Sequence, residues 1–156
     1  MFPGKKVGIN DAVIKARSYC HYRERCHKEL RELLYSMGLW KQEVDQLIIQ
    51  MMDENLLNEE RYAKSYARGH FYHKAWGRYK ITVELRSRQI HDRLITEALK
   101  EIDDNDYQVT IAKLVNKKWK EYTGNQYEKR QKVNNFLVGK GYRFDEIAEA
   151  IKAKMK

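Results

Sequence analysis

Proline is nearly missing from this 156-residue chain: Pro3 is the only one, and glycine occurs eight times. Proline breaks helix interiors and glycine weakens them, so such a sequence is free to be helical almost throughout. No segment alternates apolar and polar residues convincingly, so no sheet is expected. Two cysteines, Cys20 and Cys26, are too few for a disulfide framework, and both are expected to stay reduced. No apolar run approaches the ~20 residues that a membrane span needs. Residues 1–10 are short and polar with no hydrophobic signal core, and are expected to form a flexible arm of a cytoplasmic protein. There is no Gly-rich phosphate loop, no Ser/His/Asp motif and no recognisable acid pair. The expectation is a chain with no catalytic residues, no metal and no cofactor: not an enzyme.

What the chain does have is a threefold repeat. Leu30, Leu34, Leu39, Val44 and Ile48 recur 51 residues later as Ile81, Leu85, Ile90, Ile95 and Leu99. They recur again 52 residues further on as Val133, Leu137, Tyr142, Ile147 and Ile151. A period of this size marks tandem structural units, each leaning on its neighbours. The division expected is a first three-helix repeat over 11–57, a second over 58–103 and a third over 104–156.

Within each unit the helical signals fall in the same order. Asp11 is a suitable cap for a helix carrying Ala12, Ala16 and Tyr19. Leu30, Leu33, Leu34 and Met37 follow the i, i+3, i+4, i+7 spacing of an amphipathic face, and Gly38 suits a left-handed cap after it. Asn58 caps the second unit ahead of Glu59 and Glu60, which complement the helix dipole. The third unit is expected to start near Asp104 or Asn105. Nine helices in three sets of three make the fold all-α.

Charge is the second positive signal. The formal net charge is +9, which points to a polyanionic partner. Residues 1–57 are nearly balanced, with nine Lys/Arg against eight Asp/Glu. Residues 61–93 carry nine against two, and residues 113–132 carry seven against two. The excess therefore lies in the second and third repeats.

Three segments resemble the RecX family, whose members regulate the RecA recombinase. Arg23-Glu24-Arg25-Cys26-His27-Lys28-Glu29-Leu30-Arg31 resembles its R-x-R-S-x-x-E-L-R segment. Leu56-Leu57-Asn58-Glu59-Glu60-Arg61-Tyr62-Ala63 resembles L-L-[DN]-[DE]-x-R-[FY]-A. Gly77-Arg78-Tyr79-Lys80-Ile81-Thr82-Val83-Glu84-Leu85-Arg86 resembles G-x-x-[KR]-I-x-x-E-L-R. The resemblance implies three three-helix repeats in an elongated, curved arrangement, and a protein that binds the RecA–DNA filament, usually as an inhibitor, within recombination, DNA repair and the SOS response. It departs at Cys26, where the family usually has Ser. A thiol is a poorer acceptor for a capping bond, so that cap is expected to be weak. Trp40, His91 and Arg143, near the starts of the third helices, are not strong caps either.

The candidates for contact with filament or DNA are Arg68, Lys74, Trp76, Arg78, Lys80, Arg86, Arg88, Lys117, Lys118 and Lys120. Lysine and arginine pair with phosphates or with acidic protein surface. Their bland alternative is a solvated helix face with intrahelical pairs such as Glu84–Arg88. Arg78 and Arg88 are expected to be exposed, so that reversing both charges would leave stability unchanged. Arg61 could equally be a structural residue. Trp76 is the better surface aromatic, Phe71 or Tyr72 belongs to the core, and core is the favoured place for Trp119 and Tyr122. His70 and His73, at i and i+3, match no zinc spacing. The partners expected are the RecA filament and, weakly and without sequence preference, DNA; the chain is expected to be a monomer. The competing reading is a sequence-specific helix-turn-helix regulator using the helix at Asp92–Glu101, which is poor in base-reading groups.

Overall fold

The computed structural model describes residues 6–156. Among these the secondary structure is nine helices and no strand. The first repeat holds α1 (Ile9–Tyr22), α2 (His27–Ser36) and α3 (Lys41–Asp53). The second holds α4 (Glu59–Lys74), α5 (Arg78–Ser87) and α6 (Asp92–Leu99). The third holds α7 (Asp104–Glu121), α8 (Gln126–Lys140) and α9 (Phe144–Lys154). Extensive helix-on-helix packing runs α1 with α2 and α3, α4 with α5 and α6, and α7 with α8 and α9.

The fifteen repeated apolar positions are the reason for this arrangement. All are buried except Leu99, which is half-buried. Leu34, Leu85 and Leu137 are each 0% exposed. The backbone repeats too. Gly38, Gln89 and Gly141, at the same offsets, all have positive φ (83°, 61° and 101°) and end the second helix of their units. Only the outer two are glycine, so the middle unit holds a left-handed glutamine that the sequence pattern does not announce.

The helix starts show how weak caps are rescued. The amide N–H groups of Trp40 and Arg143 each donate to a glutamate three residues on, Glu43 and Glu146, at 2.9 Å. His91 does the work itself, its Nδ1 accepting from the Arg93 amide at 3.0 Å. Asn58 accepts from the Arg61 amide as expected. Cys26 keeps its capping box despite the thiol: its amide donates to Glu29 at 3.1 Å, and the Glu29 amide points back at its sulfur. Its thiol is fully buried and belongs to the core of the second and third repeats, which explains a small apolar group there.

Residues 1–5 of the expected arm lie outside the described residues. The remainder of that arm is tied down: the Val7 amide donates to the Met37 carbonyl at 2.8 Å, and Lys6 pairs with Glu43 at 2.9 Å. Helix α1 starts at Ile9, with Gly8 rather than Asp11 at its cap.

Two cores result. The first repeat has its own, and the second and third repeats share one continuous core. Arg61 joins the first pair of repeats, bonded to Glu24 at 2.5 Å and to the Asn55 carbonyl at 3.0 Å. It is therefore the structural residue its motif position allowed.

Candidate nucleic-acid interface

The contact between the second and third repeats gathers lysines from several helices. Helix α5 begins at the end of α8. The Gly77 amide donates to the Lys140 carbonyl at 2.8 Å, and the Tyr79 amide to the Gly141 carbonyl at 3.1 Å. Free N–H groups at one helix start thus meet free carbonyls at another helix end, satisfying both. Tyr142 donates to the Ala75 carbonyl at 2.8 Å. The approach is so close that a Cβ on Gly77 would lie 2.2 Å from the Gly141 oxygen. A Cβ on Gly141 would lie 2.2 Å from the Lys80 Cβ.

This junction brings three lysines together from three helices. Lys140 is half-buried and its ammonium donates to the Lys74 carbonyl at 2.6 Å. Burial, and then the charges of Lys80 and Lys118, hold its pKa below the ordinary lysine value. Lys118 leans on the Phe136 ring, 4.2 Å from its centre, and pairs with Glu121 at 2.9 Å. Lys80 lies over the Trp76 ring at 4.3 Å, with Lys74 at 5.7 Å from the same ring. Lys74, Lys80, Lys117 and Lys120 have no ion-pair partner among the described residues. Mutually repelling cations, of which only Lys118 has a carboxylate partner, form a surface that a polyanion would stabilise.

An aromatic row runs on from Trp76 along α4. Ala75 takes a left-handed conformation (φ 56°) and turns the chain so that Trp76 folds back on His70, 4.5 Å between ring centres. His70 stacks on Tyr66 at 3.7 Å, and Arg88 covers Tyr66 at 5.0 Å. The His70 Nδ1 carries the hydrogen, since it meets the Tyr66 carbonyl at 2.8 Å. Burial chiefly, with the charges of Lys74 and Arg88, lowers the His70 pKa, so the ring is neutral at pH 7. A groove of about 300 Å3 beside this row is lined by Arg23, Tyr62, Tyr66, His70, His73 and Lys74, among others.

The ten candidates divide accordingly. Lys74, Trp76, Lys80 and Lys118 meet at the junction, and Lys117 and Lys120 lie exposed on the same helix as Lys118. Arg88 ends the aromatic row and is also held by Glu84 at 3.0 Å. Arg68 is paired with Glu101 at 2.6 Å and Arg86 with Asp92 at 3.0 Å. Arg78 corrects the expectation of an exposed, dispensable charge. Its guanidinium pairs with Asp104 at 2.7 Å, donates to the Ile102 carbonyl at 3.2 Å and lies 4.1 Å from the Tyr107 ring centre. It is a strut between repeats.

Trp76 is half-buried against the core rather than fully presented, and Trp119 and Tyr122 are half-buried likewise. Phe71 is the core aromatic, while Tyr72 is exposed and donates to Asp106 at 2.8 Å. Lys140, His70 and Tyr66 were missing from the candidates. Lys140 stands beside Gly141 in a helix that reads as core, and only the packing of α8 on α5 reveals its neighbours. No group of three or more His, Cys, Asp or Glu side chains among the described residues could hold a metal ion. No described helix is long and apolar enough to cross a membrane.

Comparison with known proteins accords with this architecture. A family model described as "RecX, second three-helix domain" matches residues 58–99, and one described as "RecX, third three-helix domain" matches 105–151. The chain is 31% identical over 124 residues to "Regulatory protein RecX" of Vibrio parahaemolyticus, covering 79% of this chain and 78% of that one. The chain belongs to the RecX family. Its similarity to "Regulatory protein RecX" of Clostridium perfringens strain SM101 is 32% over 124 residues, 78% of this chain and 58% of the relative. The chain thus spans little more than half the length of that RecX relative. A crystal structure of RecX from Lactobacillus salivarius superposes with a TM-score of 0.83 at 25% identity, covering 93% of this chain and 95% of the other. The RecX family assignment and the three-helix units therefore rest on sequence and on backbone alike.

Proposed function

We propose that this chain is a non-enzymatic, cytoplasmic regulator of the RecA recombinase, acting as a monomer that binds the RecA–DNA filament and inhibits its growth. Membership of the RecX family supports the partner. The observation that carries the mode of binding is the junction cluster of Lys80, Lys118 and Lys140, with Lys74 and the Trp76 ring beside it. Phosphates along a strand would replace the repulsion among these ammonium groups with charge-assisted bonds. The half-buried Trp76, His70 and Tyr66 rings supply a rigid apolar floor next to them. Held across neighbouring filament subunits, the row of repeats would block addition of the next subunit or compete with duplex DNA. Neither route needs chemistry.

The helix-turn-helix alternative finds little support in α6. That helix is eight residues long, and its Asp92 is already paired with Arg86. The test is a RecA filament assembly assay with and without a random duplex as competitor, alongside direct titration of random duplexes at several salt concentrations. Binding without sequence preference that weakens steeply with salt is expected, with a slope near −0.9 per phosphate neutralised. A duplex preferred by about 10³ or more would favour the sequence-specific rival. Unimpeded filament assembly at saturating protein would refute the RecA reading.

A further inference from the structure

Glycine weakens a helix interior, yet Gly69 stands within α4. Neither a left-handed turn nor a close neighbour requires it there. Its φ is not positive, and an added Cβ would meet nothing within 4 Å. What lies over it is the groove of about 300 Å3 beside the aromatic row. Tyr62, Ser65, Tyr66 and His70 of α4 line this groove with Gly69. Arg23 and Glu24, from the segment between α1 and α2, line it too, so it crosses from the first repeat to the second.

Polar groups in the groove are left over once the fold is made. Tyr62 is only 2% exposed, and its hydroxyl makes no hydrogen bond to another described residue. No side-chain nitrogen or oxygen sealed from solvent among the described residues lacks a partner, so this hydroxyl opens into the groove that its residue lines. Burial raises its pKa, so it stays protonated and can donate as well as accept. The Ser65 hydroxyl is likewise without a partner. The charges beside it are spent: Glu24 is paired with Arg61, and Arg23 with Glu29 at 2.8 Å. Lys74, at the far end of α4, has no ion pair. It stands one helical turn from His70, beside Trp76, and its carbonyl holds the Lys140 ammonium. An aromatic wall with two uncharged hydroxyls and a free ammonium at one end suits a flat heteroaromatic ring that has donors and acceptors on its edge and a phosphate attached.

We propose that this groove holds one unpaired nucleobase of a single strand whose phosphates lie on Lys74 and the junction lysines. Tyr62 and Ser65 meet the polar edge of the base, Tyr66 and His70 form the flat wall, and the missing side chain of Gly69 leaves the room. The inference rests on the nucleic-acid reading given above and narrows it to single-stranded substrate. A base inside a duplex has its edge covered by its partner and both faces stacked, so it offers the groove nothing.

The test compares two labelled single strands by fluorescence anisotropy against the full chain: one of random sequence, and one of equal length whose residues are all abasic. Both carry the same phosphates, so only the bases differ. The intact strand should bind at least about tenfold more tightly. Gly69→Leu fills the groove and should bring that ratio near one. It should not melt below wild type, because leucine is the better helix former. Tyr62→Phe removes only the hydroxyl and should narrow the ratio by about threefold. Lys80→Gln should weaken both strands alike, and a duplex should be indifferent to Gly69→Leu. Strands that bind equally, or a ratio indifferent to Gly69→Leu, overturn the proposal and leave the junction lysines as the binding surface. Binding of neither strand overturns it together with the reading it rests on. A deoxynucleoside monophosphate that binds as tightly as the intact strand, and loses that affinity in Gly69→Leu, would assign the groove to a free nucleotide and overturn the assignment to a strand.

Discussion

Replacing Gly77 by Ala adds one methyl group and no charge, yet it should both destabilise the chain and weaken DNA binding. The new Cβ would meet the Gly141 oxygen at 2.2 Å, the Gly141 carbonyl carbon at 2.3 Å and the Tyr142 nitrogen at 2.6 Å. All three are backbone atoms, so no side chain can swing aside. Ordinary contact requires α5 and the end of α8 to separate by about an ångström, which breaks the Gly77–Lys140 and Tyr79–Gly141 hydrogen bonds. Each contributes about 0.5–1.5 kcal/mol. With loosened packing the loss should reach about 2–4 kcal/mol, and for a chain of this length the melting temperature should fall by about 5–15 °C. Lys140 would move away from Lys80, so the affinity for a random duplex should fall although the net charge is unchanged. Gly139→Ala is the control. It lies two residues from Gly141 in α8, its added Cβ would meet nothing within 4 Å, and alanine there should stabilise by about 0.5–1 kcal/mol. Circular dichroism melts and fluorescence anisotropy at low salt measure both effects. A Gly77→Ala protein that melts and binds like wild type would refute the reasoning.

Three further outcomes are expected. Arg78→Ala should destabilise by about 1–3 kcal/mol in urea denaturation, because it leaves the Ile102 carbonyl and Asp104 without their partner. Leu34→Ala, Leu85→Ala and Leu137→Ala should each lose about 2–5 kcal/mol. Only the last two should impair DNA binding, because Leu34 belongs to the separate first core. DNA affinity should rise as pH falls from 8 to 6. His70 has a lowered pKa in the free chain, a neighbouring phosphate raises it, and binding therefore takes up a proton. The same lowered pKa makes the free chain lose stability as pH falls below the unfolded histidine value of about 6.5, since the unfolded chain protonates first. His70→Gln should flatten both dependences, and a binding curve indifferent to pH would contradict the placement of His70 beside the anion.

The repeat was legible because burial imposes it: a residue at the Leu34, Leu85 and Leu137 position has no alternative environment. The left-handed turn was legible at Gly38 and Gly141 but not at Gln89, an exposed residue with no such signal whose turn is closed by the Ile90 amide on the Leu85 carbonyl. The basic region was legible as composition, but which cations share a surface was not. Arg78 and Lys80 stand two residues apart, yet one braces the junction and the other lies on the indole ring of Trp76. Lys140 joins the cluster through the close approach of Gly77 and Gly141, and a contact between residues 64 positions apart leaves no mark in local sequence.

The most direct test of the account is inhibition of RecA-mediated strand exchange by a variant carrying Lys80→Gln, Lys118→Gln and Lys140→Gln. The Gly77, Tyr79 and Tyr142 bonds of the junction use none of these side chains, so the variant should melt within a few degrees of wild type. The account predicts that it inhibits at least about tenfold more weakly than wild type, and that raising the salt concentration narrows this gap as counterions screen the intact cluster. A folded triple variant that inhibits as strongly as wild type at low salt would contradict the claim that the junction of the second and third repeats is the binding surface.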